Sequence, residues 1–328
     1  MELRFLGAAG VRVSALALGT MGFGNSGSPV GAVDLAGARD QVAMALDAGI
    51  NLFDTSDTYQ GGQAEELLGQ ALGRRRDEVL IGTKVHARVG DGPNDVGQSR
   101  WHVLRGCEAS LRRLGTDRID LYHVHGFDAC TPMEETLGAL DQLVRDGKVR
   151  YLACSNHAAW QIAKAIGIAE RRGLYRYAAI QAYYSLVSRD LEWDLLPMCA
   201  SEGLGVLVWS PLAGGLLARG REQRNHPPTG SRRAAVGDLG LGPFDPARAD
   251  AVLDVLVAIA AERGVSVAQV ALNWVRGRPG ITSVIVGARN RRQLEDNLAA
   301  ATWELEADET GRLDAASARP LPYPHWYQ

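Results

Sequence analysis

The chain alternates short apolar runs with longer stretches in which apolar residues recur at helical spacing. Alternation of this kind distinguishes strands from amphipathic helices. Helical spacing is clear in "LAGARDQVAMALDAG" and "MEETLGALDQLVRDGK", and several such stretches end just before a Gly, a normal helix stop. The short runs predict eight strands, which are "ALAL" (15–18), "INLF" (50–53), "EVLIG" (78–82), "IDLYHV" (119–124), "VRYLAC" (149–154), "AAIQA" (178–182), "GVLVW" (205–209) and "TSVIV" (282–286).

Strands that alternate with helices predict a parallel sheet in an α/β protein. Eight such units in 328 residues fit a (β/α)8 TIM barrel, and we expect a single domain over residues 1–328. The first fifteen residues predict an N-terminal β-hairpin, and a last helix is expected at about 291–301. Two extra helices, at about 247–263 and 266–276, precede the last strand. The segment before them, 218–246, is rich in Pro, Gly and Arg and predicts a long functional or disordered loop.

Composition narrows the possible partners. A net charge of −3 and a pI near 6.2 give no electrostatic case for nucleic acid or an anionic membrane. No apolar run approaches the ~18 residues of a membrane span, and the N-terminus lacks the apolar core of a signal peptide. The four cysteines are widely spaced, so we expect free thiols in a reducing cytoplasm, with one incidental disulfide as the alternative. A small-molecule substrate is the expected partner, and the oligomeric state, including a homo-oligomer, stays open.

Polar or aromatic residues follow nearly every predicted strand. Because the site of a (β/α)8 barrel lies at the carboxyl ends of its strands, these residues predict one pocket built from distant segments. They are Gly19-Thr20, Asp54, Thr83-Lys84, His123-Val124-His125, Ser155-Asn156, Gln181, Trp209-Ser210 and Gly287-Ala288-Arg289.

Four of these residues or their neighbours suggest proton transfer. Tyrosine is a poor acid at neutral pH, but a lysine cation beside Tyr59 would stabilise its phenolate. Asp54 can hold Lys84 in place, and His125 can orient a carbonyl group. Each residue type alone is more often structural, and the chemistry rests on their expected meeting at the ends of strands two, three and four. Together they predict a proton donor for an oxygen that gains negative charge.

The chain resembles an aldo-keto reductase over essentially its whole length, including the potassium-channel β subunits that share this fold. The matching stretches are "LALGTM" (16–21), "NLFDTSDTYQGGQAEELLG" (51–69), "IGTKV" (81–85), "DLYHVHGFD" (120–128), "CSN" (154–156), "IQAYYSL" (180–186), "VWSPLAGGLL" (208–217) and "VIVGARNRRQLEDNL" (284–298).

The resemblance implies NAD(P)H-dependent reduction of an aldehyde or ketone without a metal. In that reading Tyr59 is the general acid, Lys84 held by Asp54 assists it, and His125 orients the carbonyl. The residues matching the family's cofactor contacts are Thr20, Met21, Asp54, Ser155, Asn156, Gln181, Trp209, Ser210, Leu212, Gly214, Gly287, Arg289, Gln293, Asp296 and Asn297. Asp57 we assign only to organising the loop before Tyr59.

Three positions depart from the family pattern. His123 stands where a Gln is usual and should point into the barrel below His125, with its role open between structural and catalytic. Gln60 stands where a Gly is common. Gly287 replaces a lysine that in some members holds the cofactor's 2′-phosphate. We still expect NADPH rather than NADH, because arginine suits phosphate and several arginines remain near the site, namely Arg219, Arg221, Arg232, Arg233 and Arg289.

Three other interpretations compete with this one. "GFGNSG" (22–27) fits a dinucleotide-binding glycine pattern, but "SPVGAV" separates it from the next helix. The "HVH" spacing, with His86, His157 and Asp54, would suit a zinc-dependent barrel hydrolase but leaves Tyr59 and Lys84 unexplained. An NADPH-binding partner protein with little turnover is the third. The substrate stays open, and the segments expected to choose it are 21–33, 86–98, 126–131, 218–246 and the tail, with Tyr323, Trp326 and Tyr327 either at the mouth or packed on the barrel wall.

Overall fold

Eight parallel strands close into a barrel in the computed structural model, which describes residues 1–25, 33–221, 226, 233–234, 237 and 244–327. The strands follow chain order around the barrel, and the last of them pairs with both the first and the one before it. The barrel strands are β3 (Leu16–Gly19), β4 (Leu52–Asp54), β5 (Leu80–Val85), β6 (Ile119–Val124), β7 (Val149–Ser155), β8 (Tyr177–Tyr183), β9 (Gly205–Trp209) and β10 (Ser283–Val286). The predicted TIM barrel is confirmed.

Helices cover the outside of the barrel and follow most strands. Side chains of Asp34, Ser99, Ser266 and Asn290 cap the amino ends of four of them by accepting backbone N–H bonds. The helices are α1 (Leu35–Asp47), α2 (Gln63–Leu72), α3 (Arg100–Leu114), α4 (Met133–Arg145), α5 (Ala159–Arg172), α6 (Leu195–Glu202), α7 (Pro246–Arg263), α8 (Val267–Arg276), α9 (Arg291–Ala299) and α10 (Ala307–Ser317). Of these, α7 and α8 are the expected extra helices, whereas α10 was not predicted.

The predicted N-terminal hairpin closes one end of the barrel. Strands β1 (Leu3–Phe5) and β2 (Arg12–Ser14) pair antiparallel. Leu6 and Val13 belong to the buried apolar cluster that fills the barrel interior. Gly7, with φ +59°, lies so close to the backbone before β9 that a Cβ would come within 2.3 Å of the Gly203 carbonyl oxygen. The hairpin therefore covers the end where the strands begin, and the site must lie at the other end.

The four cysteines are free thiols, three of them buried. Within the described part of the chain, no helix is long and apolar enough to cross a membrane. The segment "GFGNSG" is described only as far as Asn25, so its last two residues lie outside the described ranges, as does much of 218–246.

Candidate active site

The four residues of the proposed proton donor meet at the carboxyl end of the barrel. Asp54 is the last residue of β4, Lys84 is the fifth of six in β5, and His125 directly follows β6. Tyr59 begins a 3-10 turn, Tyr59–Gly62, that joins β4 to α2. The parallel register that pairs β4 with β5 and β5 with β6 brings these positions, 71 residues apart at the extremes, to one side of the barrel.

Lys84 is fully buried, and its ammonium is surrounded by oxygen atoms. Lys84 Nζ donates to both carboxylate oxygens of Asp54 at 2.8 Å and to the Thr55 carbonyl at 2.6 Å. It also donates to the Tyr59 hydroxyl at 3.3 Å. Burial alone lowers the pKa of Lys84, but the Asp54 charge, Tyr59 and these hydrogen bonds outweigh it and raise that pKa. Lys84 is therefore a fixed cation placed beside the Tyr59 hydroxyl.

His125 stands beside the tyrosine as a neutral imidazole. Its ring centroid lies 6.1 Å from that of Tyr59, nearly edge-on. Burial, followed by the Lys84 charge and His86, lowers the pKa of His125 to about 3. Its Nδ1 lies 3.3 Å from the Ser56 hydroxyl, which leaves Nε2 for a substrate. A neutral ring in this position can donate or accept a hydrogen bond but does not carry positive charge at neutral pH.

Side chains at the ends of β7, β8 and β9 extend the hydrogen-bond network from Asp54 to Trp209. Gln181 Nε2 donates to Asp54 Oδ1 at 2.7 Å, and Ser155 Oγ donates to the Gln181 carbonyl at 2.9 Å. Asn156 Nδ2 donates to the His125 carbonyl, while Asn156 Oδ1 accepts from Trp209 Nε1 at 3.1 Å. Asn156 has φ +57°, a left-handed conformation that costs energy for any residue with a Cβ and is often found at functional sites.

One cavity of about 560 Å³ joins these groups to the ends of β3, β9 and β10. Tyr59, His125 and Asp54 line it, as do nearly all residues expected to contact a cofactor. These are Met21, Ser155, Asn156, Gln181, Trp209, Ser210, Leu212, Gly214, Gly287, Arg289, Gln293, Asp296 and Asn297. Two predicted site residues do not line the cavity. Lys84 is fully buried behind Tyr59, and the buried Thr20 donates a hydrogen bond to the Asp54 carbonyl.

Cationic residues line the same cavity after β9 and β10. Arg219, Arg233 and Arg289 are all in its wall. Of the other arginines considered from sequence, Arg221 pairs with Asp254 on α7 and Arg232 lies outside the described residues. Asp296 accepts from Ser266 and Gln269, so its carboxylate serves α8 as well as the wall.

The side chains of Asn297 and Gln293 hydrogen-bond to the backbone of the loop that carries Arg289. Asn297 Nδ2 donates to the Gly287 carbonyl at 3.1 Å, and Gln293 Oε1 accepts from the Arg289 amide at 2.9 Å. Their amides therefore act on the loop backbone, and this local role was not evident from the sequence.

The departures from the family pattern now have a physical setting. Gln60 adopts φ +51° and ψ +37°, a region that glycine enters without strain, and its Nε2 donates to the Met21 carbonyl at 3.2 Å. His123 is fully buried opposite Lys84 in the β5–β6 register. Burial, then the Lys84 charge, holds the pKa of His123 well below its usual value against the opposing Cys154 backbone, and neither ring nitrogen makes a hydrogen bond of good geometry to a described residue.

Sequence reasoning missed a second buried acid at this end of the barrel. Asp57 is 4% exposed, and its Oδ1 accepts from Ser56 at 3.2 Å. Glu65 is also fully buried, accepting from Thr83 and Arg113 at 2.6 Å each. Asp57 lies in the loop after β4, where no periodic signal exists, and Glu65 lies in the first turn of α2, where an acidic residue is usually exposed, so neither was marked as buried.

Other expected contributors lie away from the cavity. The segments 86–98 and 126–131 supply none of its lining, and neither does the tail. His325 pairs with Asp194 and Arg319 with Asp190, while Tyr323, Trp326 and Tyr327 are exposed. Among the described residues, no three His, Cys, Asp or Glu side chains stand close enough to hold a metal ion.

Comparison with known proteins decides the family. A model of the Aldo/keto reductase family matches residues 15–318. The chain belongs to this family. Membership supports oxidoreductase chemistry on carbonyl compounds.

Similar proteins within the family carry different names. An uncharacterized oxidoreductase, YrpG of Bacillus subtilis, is 38% identical, with 94% of this chain and 93% of the relative covered. A probable voltage-gated potassium channel subunit beta of Oryza sativa is also 38% identical, covering 92% and 91%. Versiconal hemiacetal acetate reductase of Aspergillus parasiticus is 32% identical, covering 96% of both chains.

Proposed function

We propose that this protein is an NADPH-dependent reductase of an aldehyde or ketone in the cytoplasm, with Tyr59 as the general acid. The observation that carries the proposal is the position of Tyr59, which lines the large cavity and has its hydroxyl 3.3 Å from the ammonium of the buried Lys84 behind it. The reaction is reversible in principle, so the same site would oxidise an alcohol.

The residues of the chain divide the work on the substrate oxygen. Reduction places negative charge on that oxygen, and Tyr59 gives it a proton. Lys84 stabilises the charge left on the phenol oxygen, and Asp54 holds the ammonium in position through two hydrogen bonds of 2.8 Å. His125, neutral at this depth, orients the carbonyl by a hydrogen bond to the same oxygen.

The cavity suits a nicotinamide dinucleotide. Such a cofactor supplies the hydride when bound. Tyr183 stacks on Trp209 with ring centroids 4.8 Å apart, which holds an aromatic wall in place where a flat ring could lie. The amide groups of Asn156 and Gln181 line the cavity beside it, and the Asn156 amide also bonds the His125 carbonyl and Trp209. These features fit the group, although Gln181 Nε2 is already engaged with Asp54 and leaves mainly its oxygen for a ligand.

NADPH is favoured over NADH by charge. Arg219, Arg233 and Arg289 line the cavity, and a guanidinium binds phosphate through paired donors. We expect Arg289→Leu to raise the KM for NADPH by about 10- to 100-fold, from a charged hydrogen bond of ~1.5–3 kcal/mol, with little effect on NADH. Arg74→Leu is the matched control, because Arg74 is exposed at the opposite end of the barrel, before β5. Equal losses with both cofactors would contradict the preference.

The central test is Tyr59→Phe. Loss of a general acid should lower the reduction rate by about 10²- to 10⁴-fold, while NADPH binding, measured by fluorescence titration, is retained. Tyr175→Phe controls for the loss of a phenol, because Tyr175 is exposed in the segment between α5 and β8. Full activity in Tyr59→Phe would show that another group supplies the proton.

A second candidate is an NADPH-binding partner protein, favoured by the relatives named as potassium channel subunits. Oxidation of NADPH against a panel of aldehydes, ring ketones and deoxysugar ketones separates the two. Tight NADPH binding with no turnover on any carbonyl would support the binding role.

A further inference from the structure

The Ser56 hydroxyl joins a buried acid to the histidine of the candidate site. Its oxygen lies 3.2 Å from Asp57 Oδ1 and 3.3 Å from His125 Nδ1. Thr58 contributes two further contacts, its hydroxyl oxygen at 3.2 Å and its amide N–H at 3.4 Å. His125 Nδ1 is therefore linked through one oxygen to Asp57, which sequence considerations assigned only to the loop.

One hydroxyl carries one hydrogen, so the two ends of this chain of contacts are coupled. An ionised Asp57 can only accept, and it takes the Ser56 hydrogen. Ser56 Oγ then faces His125 as an acceptor, which requires hydrogen on Nδ1 and leaves Nε2 with a lone pair. A protonated Asp57 can instead donate to Ser56 Oγ. The Ser56 hydrogen is then directed to Nδ1, and the ring hydrogen sits on Nε2.

The surroundings of Asp57 allow both states near neutral pH. Burial, with the negative charge of Glu65 from α2, raises the pKa of Asp57 to about 7 against the opposing effects of Ser56, Arg113 from α3 and Lys84 from β5. Tyr122 of β6 is the other titratable group close by, fully buried and donating to the Val103 carbonyl. Asp57 Oδ2 has no hydrogen-bond partner among the described residues, which a neutral acid tolerates better than a carboxylate.

The imidazole itself stays neutral through this range. Its pKa of about 3 is set by burial, the Lys84 charge and His86. A change at His125 between pH 5 and pH 9 would therefore be a change of tautomer and not of charge.

We propose that Ser56 and Asp57 are positioning residues that set the tautomer of His125, with Nε2–H presented when Asp57 is protonated and a bare Nε2 when it is ionised. The consequence for turnover rests on the proposed function. A carbonyl oxygen needs the Nε2–H donor. In the reverse direction the alcohol gives its one hydrogen to Tyr59, so its oxygen needs the same donor. Turnover in both directions should therefore fall as Asp57 ionises.

The test reads the tautomer directly and needs neither cofactor nor turnover. The full chain is labelled with ¹⁵N in its histidine rings, and ¹H–¹⁵N correlation spectra are recorded from pH 5 to pH 9. The signals of His125 are those missing from His125→Asn. We expect the Nδ1 and Nε2 shifts of His125 to exchange protonated and unprotonated values with a midpoint near neutrality.

Two variants assign the exchange to this relay. Asp57→Asn should give a pH-independent tautomer, and Ser56→Ala should uncouple the ring from Asp57 and also abolish the midpoint. Asp34→Asn, the cap of α1, removes a carboxylate elsewhere and should leave the midpoint unchanged. A single tautomer at every pH in the unmodified chain, or a midpoint that survives in either relay variant, would overturn the proposal. Inactivity towards carbonyls would instead count against the proposed function alone.

Discussion

Two buried carboxylates three residues apart behave oppositely. Asp54 meets the Lys84 ammonium and the Gln181 amide, so both of its oxygens are bonded to donors. Asp57 has a hydroxyl on one oxygen, none on the other, and Glu65 nearby. The contrast teaches that depth alone does not decide charge in this site. Partners matter as well: Asp54 has a donor on each oxygen beside a cation, whereas burial and Glu65 raise the pKa of Asp57 to about 7.

The largest effect should come from removing the cation that pairs with Asp54. Lys84→Met leaves Asp54 buried without its cation, which should cost ~3–5 kcal/mol of unfolding free energy and nearly all reductase activity. Denaturant titration and NADPH oxidation measure the two losses. Adding Asp54→Asn to Lys84→Met removes the uncompensated charge, so the double variant should recover part of the stability but no activity. Equal instability of single and double variants would refute the pairing argument.

The next effect concerns Asp57 and has a definite sign with pH. Its pKa is raised from 3.8 to about 7, so the folded state holds the proton more tightly than the unfolded state. The stabilisation is complete below about pH 4 and is lost as pH rises towards 7. Asp57→Asn lacks this loss.

The stability of Asp57→Asn relative to the unmodified chain should therefore improve by roughly 2–3 kcal/mol between pH 5 and pH 8. Urea unfolding at both pH values measures it, and Asp47→Asn, exposed at the end of α1, is the control. A difference that does not vary with pH would mean that Asp57 stays ionised throughout.

A smaller loss is expected when Asp54 keeps its cation but loses its amide. Gln181→Met removes the 2.7 Å bond to Asp54 Oδ1 with little change of shape. A hydrogen bond to a charged group contributes about 1.5–3 kcal/mol, and Lys84 still neutralises the acid, so we expect a cost of roughly 2 kcal/mol. If the variant were as unstable as Lys84→Met, the amide and not the cation would dominate the environment of Asp54.

The surroundings of Asp54 and of Asp57 also differ in how well the sequence predicts them. Asp54 ends β4 and Lys84 lies one residue before the end of the neighbouring parallel strand β5, so strand order brings them together, as predicted. Ser56 and Asp57 lie between a strand and a helix, where no period exists and where Gln60 adopts a positive φ. The contact of Ser56 with His125 spans 69 residues and depends on loop conformation.

The same limit explains the helix that was missed. In α10 the residues that face inward are Glu309, Leu313 and Ser317, four apart but mostly polar. Glu309 is accommodated there by Arg263, so the buried face carries little hydrophobic signal. Strong apolar periodicity fixed the barrel from sequence, whereas polar burial through specific partners could not be inferred from it.

The smallest effect is predicted at His123, one layer deeper in the barrel than His125. Its surroundings resemble neither those of Asp54 nor those of Asp57. Its ring is fully buried, the Lys84 charge disfavours protonation, and neither nitrogen is in hydrogen-bond geometry with a described residue. An unsatisfied buried polar group costs ~1–3 kcal/mol, so His123→Met should leave stability unchanged or raise it by about 1 kcal/mol. Turnover should change less than about threefold, since neither ring nitrogen hydrogen-bonds to a described residue of the site, whereas His125→Asn should lose about 10²-fold or more. Denaturant midpoints and kcat measured side by side decide it. A folded His123→Met with a large loss of kcat would place this ring in the catalytic network together with Asp54 and Lys84.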